Sequence, residues 1–141
     1  MTFREKLAWV MSLVLILAGA FYAWEVVGHG RALSAVPPPS IKLAVVYIGF
    51  VIIGSVIGAS SVAAHNTEEA DAPADERERI AIDKAGYWSG YVLAAGAVAG
   101  VLHYWTHQDG NVMFHLVVAA LMLSQIAEYA YQIILFRGSR V

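Results

Sequence analysis

Long apolar runs separated by short polar segments dominate this chain. Four of these runs reach the length, about 20 residues, that a helix needs to cross the hydrocarbon core of a bilayer. They extend over Leu7 to Val27, Ile41 to Ala63, Gly86 to Trp105 and Val112 to Phe136. The pattern predicts an all-α integral membrane protein, an antiparallel up-down four-helix bundle that occupies residues 1–141 as a single transmembrane domain.

The connections between the four runs differ in character. The first contains three consecutive prolines at 37–39, which cannot continue a helix and stiffen the loop. The third, Gln108 to Asn111, is typical of a tight turn. The middle one, the 65–85 connector, carries seven of the eleven acidic residues. Within it Asp75 and Glu78 have the spacing of a capping box, which predicts a helix that begins before the third span and continues into it.

Composition supports the membrane assignment and excludes several functions. The 141 residues are 59% hydrophobic and only 14% charged, whereas soluble domains carry about 25% charged residues. A net charge of -2 without a basic run argues against nucleic acid as a partner. The absence of cysteine excludes thiol catalysis and cysteine-ligated metals. Without a nucleophile triad or a phosphate-binding loop we do not expect an enzyme, although a metallohydrolase built on the histidines described below stays open.

The basic residues predict an orientation, because cytoplasmic loops carry an excess of lysine and arginine. Seven lie at the termini and in the 65–85 connector, and two lie on the other side. The seven are Arg4, Lys6, Arg77, Arg79, Lys84, Arg137 and Arg140, and the two are Arg31 and Lys42. We therefore expect a multi-pass protein of a cell inner membrane, N-in and C-in, with the connector in the cytoplasm.

The beginning of the predicted connector helix resembles a known sequence box. Residues 75–85 read Asp-Glu-Arg, then six residues, then Lys-Ala. The same arrangement precedes a transmembrane helix in families of small, uncharacterised bacterial four-span membrane proteins. The resemblance covers these eleven residues and the four-span layout. It implies a bacterial inner-membrane protein and assigns no activity.

Glycines at four-residue spacing mark faces where membrane helices pack closely. The chain has three such pairs, Gly54/Gly58, Gly86/Gly90 and Gly96/Gly100. The third pair shares one helical stripe with His103 and His107. The predicted contact face of the third span therefore leads into two histidines.

Four of the five histidines lie at the predicted outer side of the membrane. Imidazole and carboxylate groups are ligands for zinc and similar divalent transition metals. The tight turn between the third and fourth spans should bring His103 level with His115. The predicted metal ligands are His103, His107, His115, Glu25 and His29, with Asp109 as a substitute ligand or an orienting group. Two alternatives remain: haem ligation by His103 and His115, or histidines that only place a polar tip at the interface.

One acid, Glu128, lies inside the fourth span. Gln125 and Gln132 flank it on the same face, and antiparallel pairing should bring it near Tyr91 and Ser89. A charge at a helix centre costs about 2.5–3.5 kcal/mol. We therefore expect Glu128 to be protonated or hydrogen-bonded to a hydroxyl group. A proton or cation relay and a polar clamp between helices or protomers both fit this residue.

Three functions follow from these features. The first is a membrane protein that binds a divalent metal at its outer face. The second is a small proton- or cation-coupled transporter that acts as a homo-oligomer, specifically a dimer. The third is an interaction or accessory protein without chemistry, whose 65–85 connector recruits a cytoplasmic partner.

Overall fold

The computed structural model describes residues 1–70 and 72–138, without the side chains of Glu68 and Glu69. Over these residues the chain forms helices and no strand. They are α1 (Phe3–Leu33), α2 (Ile41–Ala64), α3 (Thr67–Ala70), α4 (Glu76–His107) and α5 (Gly110–Gly138). All except the short α3 are long and apolar enough to cross a membrane. The prediction of an all-α, multi-pass four-helix bundle is confirmed.

Local signals set the helix ends. The Ser40 side chain accepts a hydrogen bond from the third residue of α2, as expected of an N-cap. The predicted capping box of Asp75 and Glu78 is present at the beginning of α4. Ser34 and Gln108 end α1 and α4 in the left-handed conformation, with φ of 53° and 54°. Because caps rather than hydropathy decide the ends, the helices are longer than the predicted apolar runs.

The membrane helices pack in the order α2, α1, α5, α4. The most extensive contact is between α4 and α5, followed by those of α1 with α2 and with α5. Helices α1 and α5 are therefore central, and α2 and α4 are outer helices. Across the fully described α2 no residue is buried, which agrees with a helix that packs against α1 on one side and exposes its other sides.

The α4–α5 contact uses one of the predicted glycine pairs. A Cβ atom added at Gly96 would clash with Ala120, and one at Gly100 would lie 3.2 Å from the Val117 side chain. The two backbones therefore approach each other closely here. Around Gly90, in contrast, a Cβ atom would meet no described atom within 4 Å.

The α1–α2 contact uses a second glycine pair. A Cβ atom at Gly54 would lie 2.8 Å from Val14, and one at Gly58 would clash with Val10. Both glycines lie in the second half of α2. The two helices are therefore closest in that half, away from their connecting loop.

The N-terminal residues, the connector and the last turns of α5 lie at one end of the bundle, which we call the termini end (described residues 1–12, 62–70, 72–85 and 129–138). Three consecutive residues of α1 join this helix to the other segments of the termini end. Arg4 Nε donates to Glu78 at 3.1 Å, Glu5 Oε1 accepts from Arg137 at 3.2 Å, and Lys6 Nζ donates to Asn66 at 2.5 Å. A buried apolar cluster lies beside them: Ala8, Ala81, Ile133 and Phe136.

The opposite end, the histidine end, comprises residues 21–46 and 103–115. It contains the proline loop, the α4–α5 turn and four histidines. Of the basic residues used to predict the orientation, Arg140 lies outside the described residues. Which end faces the cytoplasm stays a prediction.

Candidate functional site

A pocket of about 800 Å³ opens at the histidine end between α1, α2 and the proline loop. Most of its wall is apolar and comes from α1, the prolines and the first turns of α2. The polar and charged groups at its wall are Glu25, His29, Ser40, Lys42 and His115. It is therefore a largely apolar cavity with a small number of ionisable groups.

Helix packing explains why the pocket lies at this end. Gly54 and Gly58 let α2 approach α1 closely in its second half. Toward the proline loop, the Phe21 and Phe50 rings stack with centroids 6.5 Å apart, and the first turns of α2 carry large side chains. The two helices therefore diverge toward the loop, and the pocket occupies the gap.

His115 anchors the loop that closes the pocket. Its Nε2 donates to the Pro37 carbonyl at 2.9 Å, because a carbonyl oxygen can only accept. In the neutral ring Nδ1 then carries no hydrogen, and it accepts from the Tyr22 hydroxyl at 3.0 Å. Asn111 adds a second anchor by donating to the Val36 carbonyl at 3.3 Å. One histidine of α5 thus holds α1 and the loop in place.

Glu25 and His29 form the polar part of the α1 wall. His29 Nδ1 donates to the Glu25 backbone carbonyl at 2.8 Å. The same nitrogen lies 3.8 Å from Glu25 Oε2, which is too long for a hydrogen bond. The Glu25 carboxylate therefore accepts no hydrogen bond from His29, and the two groups form an ion pair only when the imidazole is protonated. Lys42 lies on the facing wall, in the first turn of α2.

The structure divides the five predicted metal ligands into two sets. Glu25, His29 and His115 line the pocket, whereas His103 and His107 stack on α4 with ring centroids 4.5 Å apart. Within the described part of the chain, no three His, Cys, Asp or Glu side chains form a group that could hold a metal ion. Metal binding stays a prediction, and no converged ligand set supports it.

The reason for this division is the rotation of α5 rather than its register. Gly100 of α4 packs against Val117, so His103 and His115 are nearly level, as the tight turn predicts. However, His115 points toward Tyr22 of α1, while His103 shares the stripe of Gly96 and Gly100 that faces α5. In addition, both ring nitrogens of His115 already have hydrogen-bond partners.

Asp109 has a structural role that was not predicted from the sequence, and its role as a substitute ligand or orienting group stays a prediction. Its carboxylate accepts from the backbone nitrogens of Asn111 at 3.0 Å and Val112 at 3.1 Å. This is the geometry of an N-cap. Asp109 begins α5, and the signal for this was its position just before a helix at a tight turn.

Glu128 contacts its own helix. Gln132 donates to Glu128 Oε1 at 3.5 Å. The two expected hydroxyl partners are engaged locally: Tyr91 with the Tyr87 hydroxyl at 2.6 Å, and Ser89 with the Gly86 carbonyl at 2.9 Å. The predicted flanking residue Gln125 is exposed. A carboxamide thus takes the place of the expected hydroxyl, and the relay stays a prediction.

Sequence reasoning missed two residues of the pocket region. Lys42 entered only as a charge used to predict orientation, although its position next to the N-cap of α2 could have marked it as part of the loop end. Tyr22 lies inside an apolar run, and a buried tyrosine hydroxyl usually finds a hydrogen-bond partner. That need was the available signal for its contact with His115.

Comparisons of the chain with protein-family models, with curated proteins and with solved structures find no match.

Proposed function

We propose that this multi-pass protein is a membrane-embedded binding protein and that the pocket at the histidine end is its ligand site. The observation that carries the proposal is the size of the pocket, about 800 Å³. Sites for organic ligands usually measure about 300–1,000 Å³. A cavity of this volume is far larger than a single metal ion requires.

The wall of the pocket indicates the general nature of the ligand. Phe21, Val26, Leu33 and Val46 are apolar, and a small group of ionisable residues lies among them. A mainly apolar wall with a few polar groups binds the body of a ligand by burial and orients it through the polar contacts. The ligand is therefore an amphipathic organic molecule.

The pocket is preformed. His115 joins the proline loop to Tyr22, and the ring of Tyr22 packs edge-on against Tyr47 at 5.8 Å. Helices α1 and α2 are thus joined to each other and to α5 below the cavity. A wall held in place before binding reduces the ordering that a ligand must bring about.

Photolabelling tests this proposal on the purified protein in dodecyl maltoside. The probe is dodecylphosphoethanolamine with a diazirine in its alkyl chain, and the readout is the saturable label that unlabelled dodecylphosphoethanolamine competes away. Val46→Trp places an indole ring at the pocket wall and should reduce this component. Val45→Trp is the control, because Val45 is 62% exposed and does not line the pocket. Equal saturable labelling of both variants, or none in the unmodified protein, would contradict the proposal.

A further inference from the structure

Two opposite charges face the same pocket from different helices. Glu25 belongs to α1 and Lys42 to α2. Among the described residues, no carboxylate lies within 4.0 Å of the Lys42 ammonium group. The acid and the base therefore line one cavity without pairing with each other.

The remaining titratable groups at the pocket are His29 and His115, and His29 Nδ1 lies 3.8 Å from Glu25 Oε2, which is an ion pair only when the imidazole is protonated. His29 uses Nδ1 to donate to a backbone carbonyl, and the Glu25 carboxylate lies beyond hydrogen-bond distance of it. His115 has partners at both ring nitrogens. Neither histidine competes with a ligand for Glu25 or Lys42 through a direct hydrogen bond.

A ligand with one charge would satisfy only one of these groups. Lys42 is exposed and Glu25 is partly exposed, so a singly charged ligand removes part of the water from the other group without giving it a new partner. This partial desolvation is unfavourable and makes the pocket discriminate against singly charged ligands. A ligand with both charges provides a partner for both Glu25 and Lys42. The apolar residues around them then take its hydrocarbon part.

We propose that the pocket takes a zwitterionic amphiphile, whose cationic group lies at Glu25, whose anionic group lies at Lys42 and whose chain lies along the apolar wall. This inference rests on the proposed function, because it names the class of ligand for the same pocket. The same chemistry occurs in the headgroup of a bilayer lipid and in a free single-chain zwitterion.

Competition against the photoreactive probe tests the headgroup at about pH 8, where imidazole side chains are largely neutral. The competitors share a dodecyl chain and differ only in the head: phosphoethanolamine, phosphate, amine and alcohol. We expect the zwitterion to compete about five- to tenfold more strongly than the other three. A separate competition with two-chain phosphatidylethanolamine distinguishes a bilayer lipid from a free single-chain zwitterion. Competition equal to that of the single-chain compound indicates a lipid. No competition indicates a free amphiphile.

Charge variants connect the preference to the two residues. Glu25→Gln should make dodecyl phosphate the strongest competitor, and Lys42→Gln should make dodecylamine the strongest. The exchange of both charges, Glu25→Lys with Lys42→Glu, should restore the preference for the zwitterion. Arg31→Gln is the control, since Arg31 is a cation at the same end of α1 that does not line the pocket. This variant should leave the ranking unchanged.

The outcomes separate this inference from the proposed function. Four equal competitors, a preference for a singly charged compound in the unmodified protein, or a ranking indifferent to both single variants would overturn the zwitterion assignment. In those cases saturable labelling that Val46→Trp reduces and Val45→Trp leaves unchanged would still support a ligand pocket. Loss of saturable labelling from the unmodified protein would overturn both.

Discussion

The two ends of the bundle use the same kinds of residues in opposite ways. At the termini end Arg4, Glu5 and Lys6 each contact a different partner across the fold. At the histidine end Glu25 and Lys42 face a cavity and do not pair with each other. Charged groups are satisfied by neighbouring helices where the helices meet. Where the helices diverge, the same kinds of groups line a pocket.

Loop length and glycine placement produce this difference. Helices α4 and α5 are joined by a tight turn at Gln108 and Asp109 and touch along Gly96. Helices α1 and α2 are joined by the longer proline loop and touch at Gly54 and Gly58, far from it. Helices α4 and α5 therefore stay in contact along their length, whereas α1 and α2 diverge toward the proline loop.

The largest effect on stability is expected at the termini end. Glu5 is only 1% exposed and pairs with Arg137, whose side chain is 58% exposed. Glu5→Ala should lower the free energy of unfolding by about 2–3 kcal/mol, which is at or below the range of about 3–5 kcal/mol for a broken buried pair because the exposed arginine can rehydrate. Thermal or SDS unfolding of the purified protein measures this.

The matched control for Glu5 is Glu76→Ala. Glu76 is exposed in the first turn of α4, and its replacement should change stability by less than about 0.5 kcal/mol. Both variants should retain saturable photolabelling, since neither touches the pocket. Equal destabilisation by the two variants would contradict the claim that the charges at the termini end are held by contacts between helices.

The next effect is expected along the α4–α5 contact. Gly96→Ala places a methyl group against Ala120, including its Cα at 3.2 Å, so the backbones must separate. Overpacking of this kind costs about 1–3 kcal/mol. Gly90→Ala meets open space and should be neutral or stabilise the helix by up to about 1 kcal/mol. A chemical denaturation series that finds both substitutions equal would contradict the close packing at Gly96.

A smaller effect is expected from the loop anchor. His115→Ala removes two hydrogen bonds and should lower stability by about 1–2 kcal/mol. It should also weaken competition by dodecylphosphoethanolamine several-fold, because the pocket wall loses its attachment to α5. His107→Ala, on the exposed end of α4, is the control and should change neither quantity. Unchanged ligand competition in His115→Ala would show that the loop holds its position without this anchor.

The smallest effect isolates one contact of that anchor. Tyr22→Phe removes only the hydroxyl that donates to His115 and should cost about 0.5–1.5 kcal/mol. A double-mutant cycle with His115→Ala should give a coupling energy of similar size. Strict additivity of the two substitutions would mean that the hydrogen bond contributes nothing to stability.

Local patterns predicted the elements of this fold well. The apolar runs marked the membrane helices, and the Asp75–Glu78 spacing marked the capping box. Each of these depends on residues close together in the sequence. The candidate site required the rotation of each helix about its axis, and hydropathy does not specify that rotation in a membrane.

His103 and His115 show which part of the site the sequence could not predict. Their depth followed from the tight turn, but their directions depended on α5 packing between α4 and α1, and this turned His115 toward Tyr22. The pocket could not be predicted from the sequence either, since it arises from the divergence of α1 and α2. Glycine spacing indicated where α1 and α2 touch, and only the structure showed where they separate.

Mapping the photolabelled residues tests the central claim most directly. The diazirine analogue of dodecylphosphoethanolamine is crosslinked to the purified protein, and the competed adducts are located by peptide mass spectrometry. We expect them within residues 21–33 and 37–46, the segments that form the pocket. Competed adducts concentrated instead on the exposed stretch 48–57 of α2, or at the termini end, would contradict the assignment of the pocket as the ligand site.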